Sequence, residues 1–208
     1  MNTAVLENFI VFEGIDGTGT STQLKKLAER CAREGITVHC TYEPTEKETG
    51  QLIRKILKGA CKTEPRTLAY LFAADRSEHL YGDKGITELC AQGIPVISDR
   101  YIFSSLAYQG MTCGNELPAM LNSFFPLPEI LVYFSLDPVI ADTRMQVRDS
   151  REIFETIPFL TKVRSQFDRL LEQYRETGMR LYRIDASKTP EAIAEEIWTY
   201  CSPIFYRS

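Results

Sequence analysis

Directly after its first apolar run, the chain has a glycine-rich segment that few folds can accommodate. The run covers residues 9–13, and it is followed by Gly14, Gly17 and Gly19, with Ser21 two residues further on. This is the frame of a phosphate-binding loop, G-x-x-x-x-G-K-[ST], in which a strand turns through glycines into a helix. The backbone N–H groups of such a turn and the positive end of the helix dipole together bind an anion. The segment therefore predicts a strand–loop–helix unit.

Thr20 occupies the position of the lysine in this motif. That lysine normally reaches the outer phosphates of a nucleotide, and losing one preorganised donor can cost about 3–4 kcal/mol of transition-state stabilisation. A glycine turn followed by a Ser/Thr helix cap, with no ligand, is the alternative interpretation. If the loop is functional, the residues expected at the phosphates are Gly14, Ile15, Asp16, Gly17, Thr18, Gly19, Thr20, Ser21 and Thr22.

Four further apolar runs alternate with segments of helical periodicity. The runs cover residues 38–43, 95–99, 130–136 and 181–185. The helical segments cover residues 24–31, 160–174 and 193–200. Most runs are continuously apolar or β-branched, which is typical of strands buried on both faces. The pattern predicts an α/β fold with a five-stranded parallel sheet flanked by helices, in a single domain over residues 1–208. Ligands of such sheets bind at the carboxyl ends of the strands.

The composition disfavours several classes of protein. With 24 basic and 28 acidic residues the net charge is −4, whereas a nucleic-acid binder is normally basic. None of the six cysteines forms a C-x-x-C pair, so a zinc site is not expected. The apolar runs are too short to span a membrane, and the N-terminus lacks the features of a signal peptide. We therefore expect a cytoplasmic protein with no membrane partner.

Polar residues also follow the third apolar run. Asp99 ends that run and can hold Mg²⁺, and Arg100 can bind a phosphate through two parallel hydrogen bonds. Tyr108 and Gln109 come a few residues later and offer a ring and an amide to a base or a sugar. A salt bridge between Asp99 and Arg100 beside a helix start is an equally acceptable interpretation.

Phe72 and Arg76 are four residues apart on a predicted helix and therefore share one face. A ring that stacks on a nucleobase and a guanidinium that reaches its carbonyl group would form a base pocket. In isolation, a core phenylalanine beside a surface arginine paired with Asp75 or Glu78 is the more common arrangement.

The most charged segment, residues 143–155, predicts an exposed insert. Arg144, Arg148 and Arg151 are spaced four and three apart in it, so on a helix they would form one positive stripe that an anion would stabilise. The alternative is pairing within the helix, because Arg148 and Arg151 each have a glutamate four residues further along.

Together these segments resemble thymidylate kinases over nearly the whole chain. The most specific strings are FAADR, at residues 72–76, and DRY-x-x-SS-x-AYQG, which begins at Asp99. The resemblance implies the fold of a P-loop nucleoside monophosphate kinase with a lid over about residues 142–156. It implies the reaction of Mg·ATP with dTMP to ADP and dTDP. It also implies a homodimer, for which the apolar helix around residues 67–80 is a candidate surface.

The resemblance further implies roles for individual residues. Phe72 would stack on thymine, Arg76 would bond the carbonyl edge of the base, and Tyr108 would pack against the deoxyribose. The implied dTMP-binding residues are Glu43, Arg54, Phe72, Arg76, Arg100, Ser104, Ser105, Tyr108 and Gln109. The implied catalytic residues are Asp16, Arg100, Arg148 and Arg151. The remaining implied contacts are Arg144 to ATP and Ser21 and Asp99 to Mg²⁺.

Three features depart from the family. Thr20 replaces the lysine of the loop. Tyr42 replaces an arginine, and Thr45 with Glu46 replaces two glycines. The stretch between Gly110 and Pro128 is shorter than the family pattern leads us to expect. Thr18 stands where one type of the family has an arginine in the loop, so the catalytic arginines are expected in the lid, as in the bacterial type.

Three functions remain compatible with the sequence. The first is an active dTMP kinase in the pathway to dTTP, in which Arg148 and Arg151 compensate for the missing lysine. The second is a weak or inactive protein that binds dTMP, which Thr20 motivates. The third is a related kinase that acts on dUMP, since one methyl group is worth only about 1–3 kcal/mol of discrimination. A GTPase is disfavoured, because the guanine-binding string N-K-x-D does not occur in the sequence.

Overall fold

Strands and helices alternate along the chain in a computed structural model, which describes residues 4–146, 153–154 and 156–207. The strands are β1 (Val5–Gly14), β2 (His39–Tyr42), β3 (Val96–Asp99), β4 (Leu127–Ser135) and β5 (Arg180–Asp185). The helices are α1 (Thr20–Arg33), α2 (Glu48–Leu57), α3 (Pro65–Tyr81), α4 (Ile86–Ala91), α5 (Ile102–Cys113), α6 (Glu116–Asn122), α7 (Pro138–Met145), α8 (Ile157–Gln173) and α9 (Pro190–Phe205). All five predicted strands and the three helical segments identified by periodicity are confirmed.

The strands form one parallel sheet in the order β2–β3–β1–β4–β5. Ile10 in the middle of β1 pairs with Ile97 of β3 on one side and with Ile130 of β4 on the other, and all three are fully buried. The edge strands β2 and β5 are only partly buried. The apolar core therefore follows the three central strands, as their continuous apolar runs predict.

Two central strands begin earlier than the sequence predicts. β1 starts at Val5, and its pairing with β4 is irregular between Leu6 and Ile10. Asn8 has a φ of +62° in this interval, and its N–H donates to the buried carboxylate of Glu129 at 2.8 Å. Asparagine and glutamate are uncommon inside strands, which is why the apolar pattern places the strand starts too late.

The topology brings the two polar segments of the sequence together. From β1 the chain builds β2 and β3 on one side of that strand and then β4 and β5 on the other side. The carboxyl ends of β1 and β3 are therefore neighbours at the point where the strand order reverses, which is where such sheets bind ligands. The N–H of Arg100, just after β3, donates to the carbonyl of Phe12 in β1 at 2.8 Å.

The helices differ in how far their faces are covered. α7 contains the first residues of the predicted exposed insert, yet Met145 at its end is fully buried, so this part of the insert is packed against the core. α3 instead exposes Tyr70 and Tyr81, which are 49% and 54% accessible. None of the helices in the described part of the chain is long and apolar enough to cross a membrane.

Candidate active site

The loop between β1 and α1 has the shape of an anion-binding turn. Gly17 and Gly19 have φ angles of +84° and +90°, which residues with side chains rarely adopt. A Cβ atom at Gly17 would lie 2.6 Å from the carbonyl oxygen of Ala141 in α7. Thr18 closes the turn by donating its hydroxyl to the carbonyl of Ile15 at 2.8 Å. The backbone here therefore needs glycine, and the turn leads directly into α1.

α1 begins at Thr20, directly behind this loop. Its N-cap is Gly19, and no side chain caps the helix within this fully described segment, so the Ser/Thr cap considered as an alternative is not formed. The first turn of α1 also contains no acidic residue. The N–H groups of that turn can therefore serve an anion. Thr20, in the position of the missing lysine, is itself buried.

Ser21 and Asp99 meet where the loop faces the end of β3. The Ser21 hydroxyl donates to Oδ2 of Asp99 at 2.5 Å. The other carboxylate oxygen, Oδ1, is buried and has no hydrogen-bond partner among the described residues. A hydroxyl and a carboxylate are oxygen ligands of the kind that Mg²⁺ prefers. The unpartnered oxygen shows that the two residues fit a small divalent cation.

Arg100 lies at the centre of the site in a constrained conformation. Its φ is +75°, an unusual value for a residue with a long side chain. Its guanidinium donates to Asp16 Oδ1 at 2.6 Å, to Ser104 Oγ at 3.0 Å and to the carbonyl of Gly14 at 3.3 Å. Burial alone would lower the pKa of Arg100, but the nearby acidic groups, Asp16 first, hold it well above its ordinary value. The side chain is a permanent positive charge beside the loop.

Tyr108 holds the other oxygen of Asp16. Its hydroxyl donates to Asp16 Oδ2 at 2.7 Å and accepts the N–H of Asp16 at 3.1 Å. Burial, with the negative charge of Asp16, raises the pKa of Tyr108 well above its ordinary range, so the phenol stays protonated. The Tyr108 ring lies in an aromatic cluster with Phe154, Phe159 and Phe167. This geometry joins α5, α8 and residue 154 to the phosphate loop.

Arg76 is a buried residue, so the alternative interpretation of Arg76 as a surface arginine is wrong. Its Nε and Nη2 donate to Glu43 Oε2 at 3.0 and 2.6 Å, and Nη2 also donates to Ser105 Oγ at 3.1 Å. Nη1 donates to Asn122 Oδ1, which sequence reasoning did not single out. Four of the five N–H groups of the guanidinium thus have partners. One N–H on Nη1 has no acceptor among the described residues.

The residues around Arg76 complete one wall of a pocket. Phe72 lies one turn before it on α3 and is partly exposed. Gln109 is 2% exposed, and its Oε1 is buried without a hydrogen-bond partner among the described residues. His79 bonds Glu43 Oε1 through Nδ1 at 3.2 Å, an interaction that the sequence did not predict. The wall therefore combines a ring, one available donor and one unpartnered acceptor.

Arg54 reaches the same pocket from α2. Its guanidinium donates to the carbonyl of Pro44 at 2.7 and 2.5 Å and lies over the ring of Tyr42, 5.3 Å from its centroid. The loop that supplies this carbonyl is held by Asp75, which accepts the N–H and the hydroxyl of Thr45 at 2.8 and 2.6 Å. The sequence analysis considered Asp75 only as one possible salt-bridge partner of a surface Arg76. It did not predict that Asp75 holds the loop at Thr45.

Many of these side chains line a first cleft of about 480 Å³, a volume in the range of ligand pockets. Every predicted dTMP-binding residue lies on it, together with Asp16, Ser21 and Asp99. Tyr42, Lys58, Tyr101 and Phe154 also line it, although they had not been assigned to it. No sequence motif indicated Lys58 or Phe154. Lys58 reaches the cleft because it follows α2, and Phe154 reaches it because the segment before α8 packs there.

A second cleft of about 330 Å³ also borders the phosphate loop. Arg144, which is predicted to contact ATP, lines this cleft and donates to the carbonyl of Ala186 at 3.0 Å. The remaining lining residues are Gly17, Thr18, Gly19, Thr22, Gln23, Ala186, Lys188, Pro190 and Ile193. The segment after β5 was missed, because its sequence has no feature beyond a helix start.

Two predicted catalytic residues, Arg148 and Arg151, lie outside the described residues. The helix that carries Arg144 ends at Met145. The nearest described part of the segment is residues 153–154, where the N–H of Ile153 donates to the carbonyl of Leu57 at the end of α2 at 3.1 Å. This contact brings the segment to the rim of the first cleft, which Phe154 lines.

Comparison with known proteins shows the family to which the chain belongs. The model of the thymidylate kinase family matches residues 12–197. The chain belongs to the thymidylate kinase family. It is 41% identical to a putative thymidylate kinase of Treponema pallidum over 196 residues, which are 93% of this chain and 94% of the relative. It is 38% identical to the thymidylate kinase of Leptospira borgpetersenii over 207 residues, 96% of this chain and 94% of the relative.

An archaeal relative shows a similar match. The putative thymidylate kinase of Aeropyrum pernix is 39% identical over 179 residues, which are 85% of this chain and 84% of the relative. Thymidylate kinases are nucleoside monophosphate kinases, so the chain is a phosphotransferase with the predicted fold. The family model matches the chain from the end of β1 into α9, and the residues that line both clefts lie within this range.

Proposed function

We propose that the protein transfers the γ-phosphoryl group of ATP to dTMP, giving dTDP and ADP. The observation that carries this proposal is that Arg76 and Gln109 both line the first cleft, and that, among the described residues, Arg76 has one unpaired N–H and Gln109 an unpartnered Oε1. Thymine presents carbonyl acceptors on either side of its N3–H donor, and this wall offers the complementary donor and acceptor. Cytosine presents the opposite pattern at these atoms, so the wall selects against it.

The acceptor nucleotide would extend from this wall toward the phosphate loop. Phe72 would stack on the base, and Tyr108 would pack against the deoxyribose while its hydroxyl stays on Asp16. Ser105 would support the edge of the base through Arg76. Arg54 and Arg100 would hold the 5′-phosphate as two positive charges near the mouth of the loop. Glu43 would act through Arg76, because its carboxylate is already paired.

The donor would lie across the loop, with its base in the second cleft beside Arg144 and its phosphates on residues 14–22. In the transfer, a phosphate oxygen of dTMP forms a bond to the γ-phosphorus. The bond from that phosphorus to the β–γ bridging oxygen breaks, and ADP leaves with the electron pair. The protein contributes position and positive charge, and it forms no covalent intermediate. Asp16 would keep Arg100 turned to the reacting phosphates.

A magnesium ion bound with ATP would be held by Ser21 and Asp99, whose unpartnered oxygen fits it. When bound, it supplies positive charge to the phosphates. The N–H groups of the loop and Arg100 supply further charge, but Thr20 supplies none. We therefore propose that Arg148 and Arg151, in a lid over about residues 142–156 of a single domain, carry the charge that the loop lysine carries elsewhere. The contact of Ile153 with Leu57 supports a segment that closes over the first cleft.

The enzyme would function as a homodimer in the cytoplasm. Tyr70 and Tyr81 of α3 are about half exposed, and the neighbouring Met120 and Phe124 are 52% and 71% exposed. An exposed apolar face of this kind is typical of an interface. Free thiols at all six cysteines suit a reducing compartment. Replacing Tyr70 by Glu should give a monomer in sedimentation analysis if this face forms the dimer.

The proposal is tested by the products. Incubation with Mg·ATP and each of dTMP, dUMP, dCMP and thymidine should yield dTDP and ADP with dTMP as the preferred acceptor. dCMP should be the poorest monophosphate, because Arg76 and Gln109 would face its amino group and N3 with the wrong hydrogen-bonding groups. Comparable rates with dCMP and dTMP would contradict the assignment of the wall.

A further inference from the structure

Glu13, the residue of β1 before Gly14, is fully buried and has none of the roles above. Its Oε1 accepts the N–H groups of Tyr101 and Ser104 at 2.8 and 3.0 Å, and its Oε2 accepts the hydroxyl of Ser104 at 2.6 Å. Both N–H groups lie at the start of α5, where the helix dipole stabilises a negative charge. Glu13 therefore joins the end of β1 to the helix that carries the base-pocket residues.

While Glu13 is ionised, the proton of the Ser104 hydroxyl has only one possible direction in this arrangement. Nη1 of Arg100 lies 3.0 Å from Ser104 Oγ, and a guanidinium can only donate, so Ser104 accepts there. Its single proton goes to Oε2 of Glu13. The carboxylate thus keeps the lone pairs of Ser104 turned toward Arg100.

We infer that Glu13 is a positioning residue that orients the Arg100 guanidinium, through Ser104, toward the phosphate of the acceptor nucleotide. This inference rests on the proposed function, in which Arg100 binds that phosphate. The backbone of Arg100 is already held by hydrogen bonds, from its N–H to Phe12 and from the Ser98 hydroxyl to its carbonyl. Its φ of +75° persists only because the surroundings hold it. Through Ser104, Glu13 fixes the orientation of the Arg100 side chain as well.

Glu13→Gln tests the inference sharply, because it keeps the size of the side chain and reverses one hydrogen bond. If the amide oxygen keeps the two N–H groups of α5, the amide nitrogen faces Ser104 and donates to it. The Ser104 proton must then turn away from residue 13 and compete with Arg100. Ser104→Ala removes the link altogether but leaves both backbone bonds of Glu13 in place.

The measurement is the binding of dTMP and of thymidine to the full chain by calorimetry at pH 8.5, where Glu13 is ionised. We expect Glu13→Gln to weaken dTMP binding by about tenfold, the scale of one hydrogen bond to a charged group. Thymidine, which has no phosphate, should bind as before. The double variant with Ser104→Ala should lose no more than the larger of the two single losses, because both act through one link.

Glu129→Gln is the matched control. Glu129 is also a buried carboxylate that accepts a backbone N–H, from Asn8 at 2.8 Å, and an arginine, Arg180 at 2.6 Å. It lies near the start of β4, away from the carboxyl ends of the strands. Its variant should lower the melting temperature without changing the ratio of the dTMP and thymidine affinities.

Equal losses of dTMP and thymidine binding in Glu13→Gln, or losses that add in the double variant, would overturn the inference. If Glu13→Gln does not fold, Ser104→Thr and Ser104→Ala form the test. The threonine, which keeps the hydroxyl, should retain the ratio of the two affinities, and an unchanged ratio in the alanine variant would overturn the inference. A natural protein that binds no dTMP would instead contradict the proposed function.

Discussion

The guanidinium of Arg76 and the carboxylate of Glu43 form a buried ion pair, with 2.6 Å between Nη2 and Oε2, in the wall of the first cleft. Both side chains are almost inaccessible to solvent. Burying two charges is unfavourable unless their hydrogen bonds are nearly all satisfied. Here the pair, with Ser105 and Asn122, leaves one N–H group of Arg76 without an acceptor in the part of the chain that the structure describes. The polar wall is thus preorganised before any nucleotide arrives.

Replacing Arg76 by Ala should affect both stability and acceptor binding. The change leaves Glu43 buried without its main partner, which destabilises proteins by about 3–5 kcal/mol. It also removes the donor proposed for the base, so the KM for dTMP should rise at least tenfold while the KM for ATP stays the same. Urea unfolding and steady-state kinetics measure the two effects. Arg66→Ala, on the exposed face of α3, is the matched control and should change neither.

Replacing Ser21 by Ala should weaken the affinity of the site for magnesium. Ser21 and Asp99 are the proposed ligands of the cation, so the Mg²⁺ concentration for half-maximal rate should rise by about tenfold or more, as for losses of orienting groups at metal sites. Titration of the rate with MgCl₂ at saturating ATP and dTMP is the measurement. Ser165→Ala on the exposed surface of α8 should leave the midpoint unchanged. An unchanged midpoint in Ser21→Ala would remove this residue from the cation site.

Glu13 should make the folded state less stable as the pH rises. Burial raises the pKa of Glu13 from 4.5 to about 7, although Ser104 and the charge of Arg100 act in the opposite direction. Between these values the unfolded chain has released the proton and the folded protein keeps it, so raising the pH favours unfolding. The free energy of unfolding of the natural protein, relative to Glu13→Gln, should fall by about 3 kcal/mol from pH 4.5 to above 7. A flat difference across this range would show that the carboxyl is not buried as described.

Arg148 and Arg151 should each contribute to the rate and little to acceptor binding. If they replace the charge of the loop lysine, alanine at either position should lower kcat by about 10²-fold, the effect of one preorganised donor. The calorimetric affinity for dTMP should stay within about twofold of the natural value. Arg164→Ala, in the nearby helix α8, is the control for a lost positive charge. Unchanged rates in both lid variants would contradict the proposed compensation.

The sequence predicts the fold because the central strands are continuously apolar. Ile10, Ile97 and Ile130 occupy adjacent positions in the sheet, and runs of such residues have few alternatives to burial on both faces. The phosphate loop is equally predictable, because Gly17 has a backbone conformation and a neighbour that only glycine accepts. These features depend on short stretches of chain.

The parts of the site that depend on distant contacts are harder to predict. Asn122 and Glu13 are polar residues in apolar surroundings, and only the packing of α6 and α5 shows what they bind. Asp75 belongs to a recognised string, yet its partner Thr45 is 30 positions away. The second cleft uses residues after β5 that have no distinctive types. Side-chain partners across the fold cannot be assigned from spacing alone.

The most direct test of the account compares the natural protein with Thr20→Lys for the formation of dTDP and ADP from Mg·ATP and dTMP. We expect the natural protein to turn over at about 1 s⁻¹ or faster, within the usual range of enzymes. The added lysine should then change this rate little, because other groups already supply the charge. A natural protein that binds dTMP without transfer, and that gains activity with Thr20→Lys, would contradict the claim that this site is built for catalysis without the lysine.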